Sequence, residues 1–264
     1  MTAQDIDVVV VGSCNVDYTC FVESPPNPGE TISGENFRTN QGGKGANVCV
    51  MAARCGAKTA MAGKIGADVG GDSYACELRK DGIDTSKLLV DPTLATGTAL
   101  IIVDAKGENQ IVVCAGANGA YSEEDVKDCE SLIERCIVMV CQLEIPYNSS
   151  LSAAQSAKAK GVFTLFNPSP MPKPQAAKDF IKHVDCLVVN EHEAAMLTQT
   201  KEASINEMAT ELLTMGPAHV IITMGGEGQT YVRSNAGYVN NTTVEWSVPI
   251  KYGRNTVSCL HTCT

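Results

Sequence analysis

Short polar side chains recur directly after apolar runs that are typical of buried β-strands. They are Asn15 and Asp17 after Ile6–Val11, Glu144 after Ile137–Leu143, Asn190 and Glu193 after Cys186–Val189, and Thr223 at the end of Val220–Thr223. At a single strand end such a residue is usually a turn or a helix cap. Repetition at several strand ends favours one shared cleft.

The run Gly42-Gly43-Lys44-Gly45-Ala46-Asn47 is a second candidate. Glycines around a lysine at the start of a helix let a ligand approach the backbone closely. The run is not a Walker A loop, because Gly45 stands where that motif has Ser or Thr. A G-x-G-x-x-G fingerprint is also missing after the first strand, which disfavours an NAD-dependent oxidoreductase. From the residues alone, a ligand loop and a tight turn are equally supported.

The elements that must position these residues alternate between strand and helix. The predicted strands are Ile6–Val11, Ile137–Leu143, Val162–Phe166, Cys186–Val189 and Val220–Thr223. One helix is predicted after Lys44, with Val48, Ala52 and Cys55 on one face, and a second contains Val126, Cys129, Ile133 and Cys136 at helical spacing. Three further helices are predicted at Leu151–Lys160, at Glu191–Leu197 and around Met208–Met215. This alternation predicts a doubly wound α/β domain, in which ligands bind at the carboxyl ends of the strands.

Two segments interrupt the alternation. Thr98–Val103 and Gln110–Cys114 are rich in β-forming residues, and the polar residues between them indicate a hairpin. Residues 18–37 lack helical periodicity and contain three prolines followed by Gly29. We expect these segments to form a small β-sheet that stands off the main domain.

Charge and hydropathy exclude several classes of partner. The chain of 264 residues has a formal net charge of −10, which disfavours nucleic acid and anionic membrane surfaces as partners. No apolar run approaches the length of a membrane span, and residues 1–7 do not resemble a secretory signal. These observations predict a cytoplasmic protein, with the nucleus as an additional location.

Twelve cysteines are many for such a protein. None of them forms a C-x-x-C pair, and most have apolar neighbours in the sequence, so we expect small core residues. The cysteines assigned to the core on this basis are Cys14, Cys49, Cys76, Cys114, Cys141 and Cys186. Cys259, His261 and Cys263 offer a weaker, alternative zinc-ligand pattern near residue 264.

A series of motifs in matching order resembles the ribokinase family of carbohydrate kinases. The motifs are Val9-Val10-Val11-Gly12-Ser13-Cys14-Asn15-Val16-Asp17, Pro28-Gly29-Glu30-Thr31, Gly42 to Asn47, Thr96-Gly97-Thr98-Ala99, Ala115-Gly116-Ala117-Asn118, Gln142-Leu143-Glu144, Asn167-Pro168-Ser169-Pro170, Asn190-Glu191-His192-Glu193 and Ile222 to Gly228. The resemblance extends from about Val8 to about Val232. It implies a three-layer α/β/α sandwich with a small β-sheet lid, in which the C-terminal part is incomplete.

The resemblance also implies domain bounds and a mode of assembly. The α/β domain is expected over residues 1–248, with the lid from about 18–40 and 96–116, and residues 249–264 form an out-of-family tail. The lid of this family often serves as a dimer contact, so a homodimer is expected.

The implied activity is phosphorylation of D-ribose by ATP to give ribose 5-phosphate. The residues that match the sugar site are Asn15, Asp17, Gly43, Lys44, Asn47 and Glu144. The residues that match the nucleotide site are Asn190, Thr223, Gly225 and Gly228, and Glu193 matches the residue that helps to hold Mg²⁺. A potassium ion is implied as a second metal, with ligands that follow the last matching motif.

The motif that should carry out the transfer, D-T-x-G-A-G-D, has no match in the 264 residues. Its last Asp acts as the base, and its backbone steadies the charge on the phosphoryl group. The region expected to hold it reads Val248 to Leu260 without an acidic residue, and Glu245 precedes it. Two hypotheses follow: a kinase with an altered catalytic region, and a non-catalytic protein that binds sugar or nucleotide or forms dimers. We also expect part of the sheet to be uncovered.

Overall fold

A computed structural model describes residues 4–200, residues 203–234 and the backbone of residues 244–246. The strands are β1 (Ile6–Val11), β2 (Asn15–Phe21), β3 (Asn36–Gly42), β4 (Thr59–Gly66), β5 (Asp84–Asp91), β6 (Gly97–Val103), β7 (Asn109–Cys114), β8 (Cys136–Cys141), β9 (Phe163–Phe166), β10 (Cys186–Asn190), β11 (His219–Thr223), β12 (Gln229–Arg233) and β13 (Val244–Trp246). The helices are α1 (Lys44–Arg54), α2 (Val69–Lys80), α3 (Glu123–Asp128), α4 (Glu130–Arg135), α5 (Tyr147–Ala159), α6 (Pro174–Ile181), α7 (Glu191–Thr198) and α8 (Ile205–Thr214).

The main sheet has the strand order β13-β12-β11-β10-β9-β8-β1-β4-β5. Strands β5 to β11 in this order pair in parallel, and β12 and β13 are antiparallel additions at one edge. Val9 and Val11 of the central strand face one hydrophobic core, and Val10 faces the other. This arrangement confirms the predicted α/β fold with helices flanking a parallel sheet.

One face of the sheet is less covered than the other in the half that contains β9 to β11. Phe163 is 36% exposed, and Val188 and Ile221 on the same face are half-buried. Ile222, the next residue along the same strand as Ile221, is fully buried. Parallel strands are normally buried on both faces, so the expected incomplete covering of the sheet is seen among the described residues.

The second sheet is the small one, with the strand order β3-β2-β6-β7. Its strands include the two β-rich segments of the sequence, so the predicted lid is present. Strand β2 of this sheet begins at Asn15, earlier than the expected lid bound of residue 18. Asn15 and Asp17 are therefore part of the lid. Asp17, Ala99 and Val113 are paired across β2, β6 and β7 and therefore lie on one face of this sheet.

Several local predictions were wrong. The buried face of α1 consists of Gly45, Ala46 and Cys49, whereas Val48 and Cys55 are exposed. Because Gly43 and Gly45 have no side chain, the start of α1 lies close to the end of β1. The helix face that contains Gly45 is therefore the one that packs against the sheet. The helix expected through Cys136 ends at Arg135, because Cys136 begins β8. It is also divided into two helices, α3 and α4.

The cysteines divide into two groups. Cys14, Cys49, Cys141 and Cys186 are buried as expected, and burial raises the pKa of the Cys49 and Cys186 thiols to about 12. Cys76 and Cys114 were predicted to lie in the core but are exposed. Cys76 lies on the outer face of α2, and Cys114 ends the edge strand β7, so apolar neighbours in sequence did not indicate burial there.

Among the described residues, no helix combines the length and the hydropathy that crossing a bilayer requires. Residues 249–264, with the Cys259, His261 and Cys263 pattern, lie outside the part of the chain that the structure describes.

Candidate functional site

The first turn of α1 is where residues from distant parts of the sequence meet. One oxygen of Glu144, Oε2, accepts hydrogen bonds from the hydroxyl of Ser13 at 2.6 Å and from the backbone N–H of Lys44 at 2.8 Å. The next two N–H groups of α1 donate to Oγ and to the carbonyl of Ser13 at 3.4 and 3.0 Å. A carboxylate at a helix N-terminus is stabilised by the helix dipole. Glu144 is thereby fixed beside the loop that follows β1.

The glycines of this segment are required by packing. Gly43 has φ of 90°, and a Cβ there would lie 2.8 Å from the backbone N of Asn15. A Cβ on Gly45 would lie 2.7 Å from the backbone N of Ser13. The N–H of Asn47 donates to the carbonyl of Gly43, so the first-turn donors of α1 all have partners within the chain. Close packing against the loop after β1 accounts for both glycines.

Asp17 lies on the lid directly opposite this turn. Its carboxylate packs against Gly42, where a Cβ would come within 2.0 Å of Oδ2. Burial, reinforced by the negative charge of Glu144, raises the pKa of Asp17 to about 6. A half-buried carboxylate next to a second carboxylate holds its charge at a cost, which a ligand that donates hydrogen bonds would reduce.

Asn15 begins the same lid strand and is held by Asn118. The backbone N–H of Cys14 donates to Oδ1 of Asn118 at 2.9 Å. Nδ2 of Asn118 donates to the carbonyl of Cys14 at 2.9 Å and to Oδ1 of Asn15 at 2.8 Å. Both amides are buried, with 4% of Asn15 and 1% of Asn118 exposed.

Gln142 follows β8, two residues before Glu144. It is 2% exposed, and neither atom of its amide has a hydrogen-bond partner among the described residues. A Cβ on Gly12 would lie 2.6 Å from Oε1, which places the amide against the end of β1. Ser150 donates to the Gln142 backbone carbonyl at 2.7 Å, so the main chain is anchored while the side-chain amide is not.

A second cluster lies at the carboxyl ends of β10 and β11. Asn190 is the N-cap of α7, with Oδ1 accepting from the N–H of Glu193 at 2.8 Å. Oε2 of Glu193 accepts in return from the N–H of Asn190 at 3.0 Å, which completes a capping box. The helix-cap interpretation therefore holds for this pair. The second oxygen of the Glu193 carboxylate takes no part in the capping box.

Thr223 is paired with Asn190 across β10 and β11, so the two predicted residues are neighbours. The turn that follows contains Gly225 with φ of 52° and Gly228 with φ of 96°. It closes with a 2.8 Å hydrogen bond from the N–H of Met224 to the carbonyl of Gly228. Positive φ favours glycine at both positions, and no atom of the described residues lies within 4 Å of a Cβ built on Gly225.

The structure thus brings the predicted residues together in two groups. The residues predicted to bind sugar lie between the lid, the start of α1 and the ends of β1 and β8. The residues predicted to bind nucleotide lie at β10 and β11, and β9 separates the two groups in the sheet. Two strand spacings from β8 to β10 correspond to about 10 Å, a distance that an extended phosphate chain can span. No set of three His, Cys, Asp or Glu side chains arranged for a metal occurs within the described ranges.

Sequence reasoning assigned no role to Ser13 and Asn118, although both lie in motifs that carry the family resemblance. Their role depends on contacts with residues about a hundred positions or more away: Ser13 with Glu144, and Asn118 with Cys14 and Asn15. For Asn118 the available signal was an Asn between two glycines, in the run Gly116 to Gly119. For Ser13 no signal beyond its place after β1 was available.

A cavity of about 630 Å³ lies between the lid and α2. It is lined by Val16, Tyr18 and Gln41 on the lid and by Ser73 and Tyr74 on the helix. Val16 and Tyr18 alternate with Asp17 along β2 and point to the other face of the lid. The hydroxyl of Tyr74 donates to the carbonyl of Gly42, the residue on which the Asp17 carboxylate packs.

Comparison with known proteins gives consistent matches over most of the chain. The model of the pfkB family carbohydrate kinases matches residues 5–249. Ribokinase of Mus musculus is 42% identical over 224 residues, which are 84% of this chain and 69% of the relative. Ribokinase of Schizosaccharomyces pombe is 38% identical over 242 residues, 87% of this chain and 76% of the relative. The structure of Arabidopsis thaliana ribokinase complexed with ribose and ATP is similar with a TM-score of 0.78, 27% identity, and coverage of 87% and 75% of the two chains.

Proposed function

Because the chain belongs to the pfkB family of carbohydrate kinases and is similar to ribokinases over most of its length, we propose that it binds D-ribose and ATP. The observation that carries this proposal is the cluster of Asn15, Asp17 and Glu144 between the lid and the ends of β1 and β8. Three short polar groups, buried or half-buried, suit a polyol, because each carboxylate or amide can bind adjacent hydroxyl groups.

In the proposed complex each sugar-site residue has a role that its contacts support. Asp17 accepts a hydrogen bond from a ribose hydroxyl, which offsets the cost of its half-buried charge. Glu144 offers the oxygen that is not bonded to Ser13 and Lys44. Gly43 keeps the backbone close to the ligand, and the Lys44 and Asn47 side chains complete the site.

At the second cluster we propose that Asn190, Thr223, Gly225 and Gly228 bind ATP. The space that the described residues leave beside Gly225 and the positive φ of both glycines support a close approach of the nucleotide. Glu193 is proposed to hold Mg²⁺ through water or phosphate, because Mg²⁺ commonly takes one carboxylate together with water and phosphate oxygens. Magnesium supplies charge neutralisation for the phosphates when it is bound. The potassium ligands implied by the resemblance fall outside the described residues.

We propose further that the 264-residue chain transfers the phosphoryl group slowly, because the Gly-Ala-Gly-Asp motif is missing from its sequence. Loss of a positioned base lowers a rate by roughly a hundredfold to ten-thousandfold. The alternative hypothesis, a protein that binds sugar without catalysis, is the limiting case of this proposal.

Calorimetric titration with D-ribose and a coupled assay of ADP release with Mg-ATP and potassium test both statements. We expect ribose binding together with turnover at least about a hundredfold below that of the mouse relative assayed in parallel. Turnover equal to that of the relative would refute the proposed catalytic loss. No heat and no competition by ribose, with a folded chain by circular dichroism, would refute the proposed function itself.

A second copy of the chain is the proposed partner of the lid. Ile111, Val112 and Val113 of the edge strand β7 are 52%, 61% and 55% exposed. Ile111 and Val113 lie on the same face of the lid as Asp17, and apolar side chains at this density favour an interface. Sedimentation velocity should show a dimer that Ile111→Asp dissociates, whereas Val69→Asp, at an 86% exposed position on α2, should leave it intact. A monomeric parent chain at tens of micromolar would refute the proposal.

A further inference from the structure

The amide of Asn118 has only one orientation that its surroundings allow. The backbone of Cys14 presents an N–H donor and a carbonyl acceptor to it, each at 2.9 Å. Oδ1 must therefore face the N–H and Nδ2 must face the carbonyl, because exchanging them would oppose like groups at both contacts. The orientation follows from the main chain and not from a choice between nitrogen and oxygen positions.

This orientation determines that of Asn15. The second proton of Asn118 Nδ2 points to Asn15 at 2.8 Å, so Asn15 must present its acceptor, Oδ1, on that side. Its Nδ2 group, with two donors, is what remains for the ligand side. Asn15 and Asp17 are two residues apart on β2 and therefore lie on the same face of the lid. The site therefore combines a fixed donor with an acceptor.

The turn that carries Asn118 is itself anchored at both ends. The N–H of Ala117 donates to the carbonyl of Ala95 at 2.8 Å. At the other end Lys64 donates to the carbonyl of Ala120 at 3.0 Å and pairs with Asp125 at 2.6 Å, with both charged side chains largely buried. The packing around the two amides is close, because a Cβ on Gly97 would lie 2.0 Å from Nδ2 of Asn118 and 2.3 Å from Oδ1 of Asn15.

We propose that Asn118 is a positioning residue that fixes the amide of Asn15, so that Asn15 meets the sugar only as a hydrogen-bond donor. The inference rests on the proposed function in taking ribose as the ligand. A hydroxyl that gives its single proton to Asp17 can still accept from Asn15, so a sugar with hydroxyls at this place satisfies both residues. A ligand group that only donates would find no acceptor in Asn15.

A double-mutant cycle of Asn15→Ala and Asn118→Ala, read by calorimetric ribose affinity, tests this action through Asn15. We expect each single variant to weaken ribose binding by about tenfold, the value of one well-oriented hydrogen bond. The double variant should bind no more weakly than Asn15→Ala alone, because residues of one hydrogen-bond network are not additive. Additive losses, about a hundredfold in the double variant, would overturn the proposal.

Ser149→Ala is the matched control. It removes a buried 2.6 Å hydrogen bond to the carbonyl of Tyr121 at the end of the same turn, without contact with Asn15. Ribose affinity should be unchanged in this variant, and an equal loss there would assign the effect to general loosening. Asn118→Asp, which keeps the oxygen that accepts from the N–H of Cys14 but removes the donor to Asn15, replaces Asn118→Ala if the latter fails to fold.

Side-chain amide NMR of the parent chain decides the orientation without a ligand. The Asn118 protons should be protected from exchange with water, and the Asn15 protons, assigned by their loss in Asn15→Ala, should exchange and shift when ribose is added. Protected Asn15 protons with exchanging Asn118 protons would overturn the proposal. A parent chain that binds no ribose but shows the expected exchange would refute the proposed function and leave the orientation standing.

Discussion

Replacing Asp17 by Asn should weaken ribose binding and stabilise the fold at the same time. The carboxylate is half-buried, close to Glu144, and its pKa is raised from 3.8 to about 6. Between these two pH values the folded chain binds more protons at this position than the unfolded chain does. Stability is therefore lost as pH rises from about 4 to about 6, and the loss is complete at pH 7.

The size of the effect follows from the pKa. One pKa unit corresponds to about 1.4 kcal/mol, so the full difference corresponds to about 3 kcal/mol. Solvent reaches part of the side chain and screens its charge, so we expect Asp17→Asn to gain about 1–2 kcal/mol at pH 7. In a chain of this size that gain raises Tm by roughly 2–8 °C. At pH 4 the gain should disappear, because Asp17 is then protonated in the folded chain.

Ribose affinity should follow the same titration in the opposite direction, because the ionised form of Asp17 that lowers fold stability is the form that binds ribose. With a pKa of about 6, about 90% of Asp17 is ionised at pH 7 and about 10% at pH 5, so affinity should fall by about tenfold over this range. Asp17→Asn and Asp17→Ala should each weaken binding more than tenfold at pH 7, leave ATP binding nearly unchanged, and show no such pH dependence. Thermal melts and calorimetry of parent and variant at pH 4, 5 and 7 check this. Equal ribose affinity in the variants, or a Tm gain that is the same at pH 4 and pH 7, would refute the reasoning.

Three further results are expected. Ile222→Ala should lower the free energy of unfolding by about 2–5 kcal/mol. Ile221→Ala, on the half-covered face of the same strand, should lower it by less than half as much. Equal losses in denaturant titration would show that this face is covered. Glu193→Gln should weaken the effect of Mg²⁺ on ATP binding and spare ribose binding, and superimposable metal titrations of parent and variant would argue against Glu193. Gln142→Met should raise stability by about 1 kcal/mol, because the buried amide has no partner among the described residues; a loss of 2 kcal/mol or more in thermal melts would indicate an ordered water at the amide.

The sequence indicated the main elements and the groups of residues that meet at the site. The apolar run of β1, buried on both faces, and the hairpin of β6 and β7 were evident because local residue types determine them. The family motifs placed Asn15, Asp17, Gly43 and Glu144 in one group, because motif order reflects the fold even where contacts are distant. The inward face of α1 was predicted wrongly because glycine carries no hydrophobic signal although it permits the closest packing.

Only the tertiary structure decided how these groups act. The raised pKa of Asp17 depends on its burial and on Glu144, which is far away in the sequence. The orientation of Asn15 depends on Asn118, 103 positions later, and the place of Glu144 depends on Ser13 and on the first N–H of α1. Residue types state which groups can donate, accept or ionise, and these are fixed by covalent chemistry. Which proton faces which oxygen, and at what cost in solvation, is a property of distances that exist only once the chain has folded.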